Sequence, residues 1–178
     1  MNRTQLEHII RAASQISDDT EIVVIGSQSV HAQAMKLPPI AFISEEADVY
    51  PRNYPERADD IDFAIGELSS FHETYGYYAH GVSPTTANLP AAWEQRLIPL
   101  SNPNTAGATG LCLDVHDLVL SKYAAGREKD MAFNQGLVRY GCVAKETLLK
   151  LAVTLPVNDE MKAIILQRIN ADFAAANS

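Results

Sequence analysis

At 178 residues, 47% of them hydrophobic, the chain can bury one sizeable core and needs no multidomain scheme. Its formal net charge of −8 leaves no broad basic face for nucleic acid or an anionic membrane, so any polyanion must meet a local cluster, and a small ligand is favoured. Cys112 and Cys142 stand alone, without zinc-type spacing, and Met1 to Ser14 lacks an uninterrupted apolar run; both features argue for reduced thiols and a cytoplasmic, unprocessed chain outside the membrane.

In chain order, Leu6, Ile9, Ile10, Ala13 and Ile16 recur at helical spacing and predict a first amphipathic helix that stops near Ser17-Asp18-Asp19. Glu21 to Ile25 reads as a short buried strand. Ser27 is the expected N-cap of a helix over Gln28 to Met35, which Pro38-Pro39 prevents from continuing. A second strand, Glu46 to Tyr50, is followed by a turn at Pro51 to Pro55. Apolar residues at 58, 61, 64, 65 and 68 then predict a helix over Glu56 to Leu68. Tyr75 to Val82, Arg96 to Leu100 and Gly110 to Val115 supply further strands, separated by loops rich in Pro, Asn, Thr and Gly. From His116 the pattern is helical: 116–125, about 127–140, 144–154 and 158–176. The expectation is one α/β domain over 1–178, with a small mixed sheet and flanking helices to about 115 and a helical portion from about 116.

Three segments carry chemistry. The strand Ile22-Val23-Val24-Ile25 ends in Gly26-Ser27, where a missing Cβ admits a ligand and the amides of a helix start favour phosphate oxygens. Taken alone, such a turn is more often an ordinary Ser-capped junction. Nineteen residues after Ser27 comes Glu46-Ala47-Asp48-Val49. Two acids spaced by two on a strand leave one face together and can share a hard divalent ion, Mg2+ or Mn2+; solvated surface acids are the competing reading. The third segment runs from Asp117, expected to cap or begin a helix, through Lys122 to Gly126, Arg127, Lys129 and Asp130. It is the densest basic cluster of an acidic chain, and Lys122 on a rigid helix can reach a phosphate; a solvated helix junction is the alternative. The five histidines show no metal-ligand spacing, although His72 and His80 flank the aromatic run Tyr75, Tyr77 and Tyr78, which fits sheet packing better than base stacking.

Together the Gly26-Ser27 turn, the Glu46-Ala47-Asp48-Val49 strand and the late block of Asp117-Leu118, Ser121-Lys122 and Ala125 to Asp130 resemble a largely uncharacterised bacterial family with the nucleotidyltransferase fold, distantly similar to AbiEii-type nucleotidyltransferase toxins. Ser70 to Ala79 and Leu89-Pro90-Ala91-Ala92-Trp93 also look like that family, so the resemblance covers most of the chain. It implies triphosphate contacts at Gly26 and Ser27, catalytic metal at Glu46 and Asp48 and, by similarity to the toxin branch, catalytic roles for Lys122 and Asp130; the basic cluster itself adds Lys122, Arg127 and Lys129 as expected nucleotide contacts. The chain departs from the pattern in two respects: its first acid is Glu46 rather than the commoner Asp, and Tyr77-Tyr78-Ala79-His80, the strand expected to bear a third carboxylate, has none, with Asp60, Asp62, Glu73 and Asp130 as the alternatives. The expected activity is metal-dependent transfer of a nucleoside monophosphate from an NTP to a protein, RNA or small-molecule acceptor. Its rivals are a catalytically silent nucleotide-binding or protein-interaction module and one partner of a toxin-antitoxin-like pair.

Overall fold

A computed structural model describes residues 1–176. The chain runs α1 (Arg3–Ser17), β1 (Glu21–Val24), β2 (Glu46–Pro51), α2 (Ala58–Ile65), α3 (Ser70–Tyr75), β3 (Tyr78–Gly81), β4 (Ile98–Leu100), β5 (Thr109–Cys112), α4 (Val115–Ala125), α5 (Glu128–Arg139), α6 (Lys145–Ala152) and α7 (Asp159–Ala176). The five strands form one mixed sheet in the order β3-β2-β1-β5-β4. β1 pairs antiparallel with β2 and parallel with β5, β2 runs parallel to β3, and β4 closes the far edge antiparallel to β5. This is the mixed α/β architecture of a nucleotidyltransferase-like fold, with C-terminal helices gathered after the last strand.

Alternation along the strands sorts the core into two layers. Ile22 and Val24 of β1 join Ala47 and Val49 of β2, Ala79 of β3, and Leu6, Ile9 and Ile10 of α1 in one cluster, which Ile61 and Ile65 of α2 extend. Val23, Ile25 and Tyr50 face the other way and pack with Leu118, Tyr123, Leu137 and Leu148 of the C-terminal helices. Because Ala47 and Val49 are committed to the α1 side, Glu46 and Asp48 must leave β2 on the side of α4 and α5. The hydrophobic pattern of the sheet thus decides where the acids point.

Several elements differ from their sequence expectation. Ser27–Ala32 is a six-residue 3₁₀ helix with Gly26 at its N-cap position and no side-chain cap, in place of a Ser27-capped α-helix reaching Met35. Ser, Val and His are weak helix formers, and the Gln33 side chain instead ties the following segment to the Leu113 carbonyl and the Val115 amide. The helix expected over 56–68 is a 3₁₀ turn at Pro55–Arg57 followed by α2, which Gly66 ends; Leu68 has φ 62° and is exposed, so the expected stripe stops at Ile65. α4 is capped by Asp114, whose Oδ1 accepts from the His116 amide at 2.8 Å, rather than by Asp117. Asp117 is fully buried and accepts from Arg96 Nε at 2.9 Å and Nη2 at 2.8 Å, a fork that ties the loop before β4 to α4. Gly126, at φ 69°, takes the left-handed position that ends α4 and turns the chain into α5. Among the described residues no helix is long and apolar enough to cross a membrane.

Candidate active site

A cavity of about 530 Å³ opens where the end of β1, the side of β2 and the α4–α5 junction meet. Its walls hold Gly26, Ser27, Glu46, Asp48, Lys122, Arg127, Lys129 and Asp130, so one cleft gathers the three segments singled out from the sequence. Ile25, Ile40, Leu118 and Phe133 give it an apolar side, and Thr86, Ala87 and Asn88 form part of its rim.

Gly26 and Asp48 meet at closest range. A Cβ on Gly26 would lie 2.1 Å from Asp48 Oδ2 and 3.0 Å from Asp48 Cβ, so glycine is required here for close approach rather than for backbone freedom; its φ of −90° and ψ of −171° are ordinary extended values. The Ile25 amide also donates to the Asp48 carbonyl at 3.0 Å, which holds the Gly-Ser turn in register with the acids.

The partners of the acids come from β3. In the parallel register Glu46 lies opposite Tyr78 and Asp48 opposite His80, and Ala79 between them faces the α1 core. The Tyr78 hydroxyl donates to Glu46 Oε2 at 3.0 Å. His80 Nδ1 lies 3.3 Å from Asp48 Oδ1 and 3.5 Å from Glu46 Oε1. Burial works against ionisation of Glu46, but hydrogen bonds with Asp48 and Tyr78 and the charges of His80 and Lys129 outweigh it and hold its carboxyl below the usual range. Burial and the adjacent Glu46 charge push Asp48 up to about 6. Two carboxyls with opposite shifts form a pair that shares a proton readily and has negative charge to neutralise.

The cationic wall is organised from beneath. Asp130 is wholly buried; its Oδ1 accepts from Lys122 Nζ at 2.8 Å and its Oδ2 from Arg127 Nε at 2.6 Å. These bonds outweigh the burial penalty and keep its carboxyl below the ordinary range. The Lys122 ammonium also lies 4.8 Å from the centre of the Phe133 ring. Asp130 therefore anchors the two cations and does not join Glu46 and Asp48. The Arg127 guanidinium senses the charges of both acids, and Lys129 acts on Glu46, so the basic wall faces the acidic one across the cleft.

Among the described residues, Glu46, Asp48 and His80 can bring three donor atoms within 4.8 Å of one another, a spacing and a donor chemistry that fit a divalent ion. Asp60, Asp62 and Glu73 lie outside the cavity lining; Asp62 instead accepts from the Gly81 amide at 3.3 Å. In the sequence His80 shows no metal-ligand spacing and stands only as a flank of the aromatic run, whereas the fold sets it beside the acid pair. The signal was its position two residues after Tyr78 on a strand pairing with β2, readable only once the parallel register is known. The aromatic run splits in the same way: Tyr78 faces the acids, while Tyr77 packs with His8, Phe71 and Tyr75 by α1, its hydroxyl 2.7 Å from His8 Nδ1.

A family model described as "Nucleotidyltransferase of unknown function" matches residues 4–162, from α1 into α7 and across every strand of the sheet. Searches of curated proteins and of solved structures gave no match to the chain. Nucleotidyltransferases usually depend on a divalent metal, in keeping with the metal-binding potential of the Glu46, Asp48 and His80 group. With the match covering most of its length, the chain belongs to this family of nucleotidyltransferases of unknown function (DUF6036).

Proposed function

We propose that the chain transfers a nucleoside monophosphate from an NTP to an acceptor, with the triphosphate lying between the Gly26-Ser27 turn and the Lys122, Arg127 and Lys129 wall. The observation that carries this reading is the pairing of Asp48 with Gly26 on one side of a cavity whose other side bears preassembled cations. Glu46 and Asp48 would hold Mg2+ or Mn2+, which when bound supplies charge neutralisation and alignment for in-line displacement at phosphorus. The missing Cβ at Gly26 seats the Asp48 carboxylate against the turn, and the amides after it offer donors to the phosphates. Lys122, fixed by Asp130 and Phe133, contributes a positioned point charge, while Arg127, the more exposed of the two, can fork onto phosphate oxygens. The apolar side formed by Ile25, Ile40 and Phe133 suits the base or sugar of the nucleotide.

A second reading, a nucleotide-binding module without turnover, is favoured by one observation: β3 carries no carboxylate. A panel of labelled NTPs with Mg2+ or Mn2+, scored for binding and for label transfer to protein and to RNA, separates the two and identifies the acceptor class. Transfer that disappears in a folded Asp48→Ala variant supports the transferase. Nucleotide binding without transfer in any arm selects the silent module, and the same transfer rate in Asp48→Ala rejects the assignment of the site.

A further inference from the structure

The position that lacks the expected third carboxylate is occupied by an imidazole, and its geometry is specific. His80 stands opposite Asp48 in the β2–β3 register and projects to the same face of the sheet as both acids. Tyr78 occupies Glu46 Oε2, so the other oxygen, Oε1, is the one near His80 Nδ1, at 3.5 Å; Asp48 Oδ1 lies at 3.3 Å. Two donors on one ion with bonds of about 2.1 Å are separated by about 3.0 Å in an octahedron and about 3.4 Å in a tetrahedron. The imidazole nitrogen is thus already at coordination spacing from both carboxylates.

We propose that His80 is the third ligand of a mixed two-carboxylate, one-imidazole centre, and that this centre selects a first-row divalent transition ion over Mg2+. The inference rests on the reading of Glu46 and Asp48 as metal ligands. Mg2+ is a hard ion that prefers oxygen and gives up water reluctantly, so a nitrogen donor adds little to its binding. Transition ions gain from imidazole, and the gain grows from Mn2+ to Co2+.

The test is titration of the nucleotide-free protein with Mg2+, Mn2+ and Co2+ at pH 7.5 by calorimetry, with electron spin-echo spectroscopy of the Mn2+ form. The wild type should bind Mn2+ at least tenfold more tightly than Mg2+, bind Co2+ more tightly than Mn2+, and show nitrogen coupling to Mn2+. His80→Asp, which restores three carboxylates, should lose the coupling and reduce the Mn2+/Mg2+ preference to a few-fold; His80→Ala should weaken Co2+ and Mn2+ more than Mg2+. Metal that binds through Glu46 and Asp48 with no nitrogen coupling, or with the same ion preference in His80→Asp, overturns the ligand role of His80 and leaves the carboxylate site standing. Ion affinities unchanged by Glu46→Ala and Asp48→Ala, or no wild-type binding up to millimolar metal, overturn both.

Discussion

Replacing Gly26 by alanine separates the chemistry of the cleft from the stability of the fold. The new Cβ would lie 2.1 Å from Asp48 Oδ2, whereas ordinary contact begins at 3.4 Å, so the carboxylate must retreat by about 1.3 Å. Metal–ligand distances tolerate about 0.2 Å, and a displacement of about 1 Å at a reacting centre costs on the order of 100-fold. Metal affinity and nucleotidyl transfer should therefore both fall about 100-fold. The backbone gives no reason for a folding defect, because φ −90° and ψ −171° accept alanine without strain. Loss of glycine's freedom in the unfolded chain contributes about 0.4–1 kcal/mol of stability, which offsets part of the cost of moving Asp48. Urea unfolding should place Gly26→Ala within about 1 kcal/mol of wild type, while Mn2+ titration by electron paramagnetic resonance shows the lost affinity. A folded variant that binds Mn2+ as tightly as wild type would refute the close-approach argument. A loss of several kcal/mol would make Gly26 a structural requirement instead.

Lys122→Ala should weaken NTP binding by about tenfold, and Lys122→Arg should not fully restore it, because a broad planar fork does not replace a compact point charge held by Asp130 and the Phe133 ring; nucleotide titrations equal to wild type would reduce the basic wall to a structural ion network. Arg96→Met leaves the buried Asp117 carboxylate without either of its two donors and should cost about 3 kcal/mol in urea unfolding, recovered in part by Arg96→Met with Asp117→Leu; a loss under about 1 kcal/mol would show that water replaces the guanidinium. Since the Asp48 carboxyl is raised to about 6, a proton competes with metal below that pH, and Mn2+ affinity should fall about tenfold per pH unit there and level off above it. In metal-free protein the sign for stability is opposite. A folded-state value above the unfolded one makes this carboxyl's contribution complete below about 3.8 and lost as pH rises through about 6, which urea unfolding of wild type and Asp48→Asn across that range will show.

Features that rest on neighbours in the chain were legible from residues alone. The run Ile22 to Ile25, the Gly-Ser that ends it and the acid-apolar-acid of Glu46 to Asp48 each state their geometry within a few positions, and the apolar spacing of α1 and the C-terminal helices does the same. What escaped depends on pairing across distance. His80 reaches Asp48 from 32 residues away through a parallel register that no local pattern encodes, and Arg96 reaches Asp117 across 21. In the sequence Asp130 is open to two readings, a stand-in for the third carboxylate or a member of a solvated helix junction; its complete burial beneath Lys122 and Arg127 is a property of packing between α4 and α5. The 3₁₀ helix after Gly26 was hidden for a related reason, since Gln33 takes its hydrogen bonds from residues about 80 positions further on.

The burial of Asp130 makes the cationic wall a by-product of folding rather than a surface decoration. The carboxylate that keeps Lys122 and Arg127 in the cleft is also the group that the α4–α5 junction must neutralise in order to close, and Gly126 sets the turn that brings them together. Assembly of the junction and charging of the site are one event. Substitutions that loosen this corner, even those far from any ligand, should reveal themselves first as poorer nucleotide affinity and only later, with further damage, as a lower melting temperature.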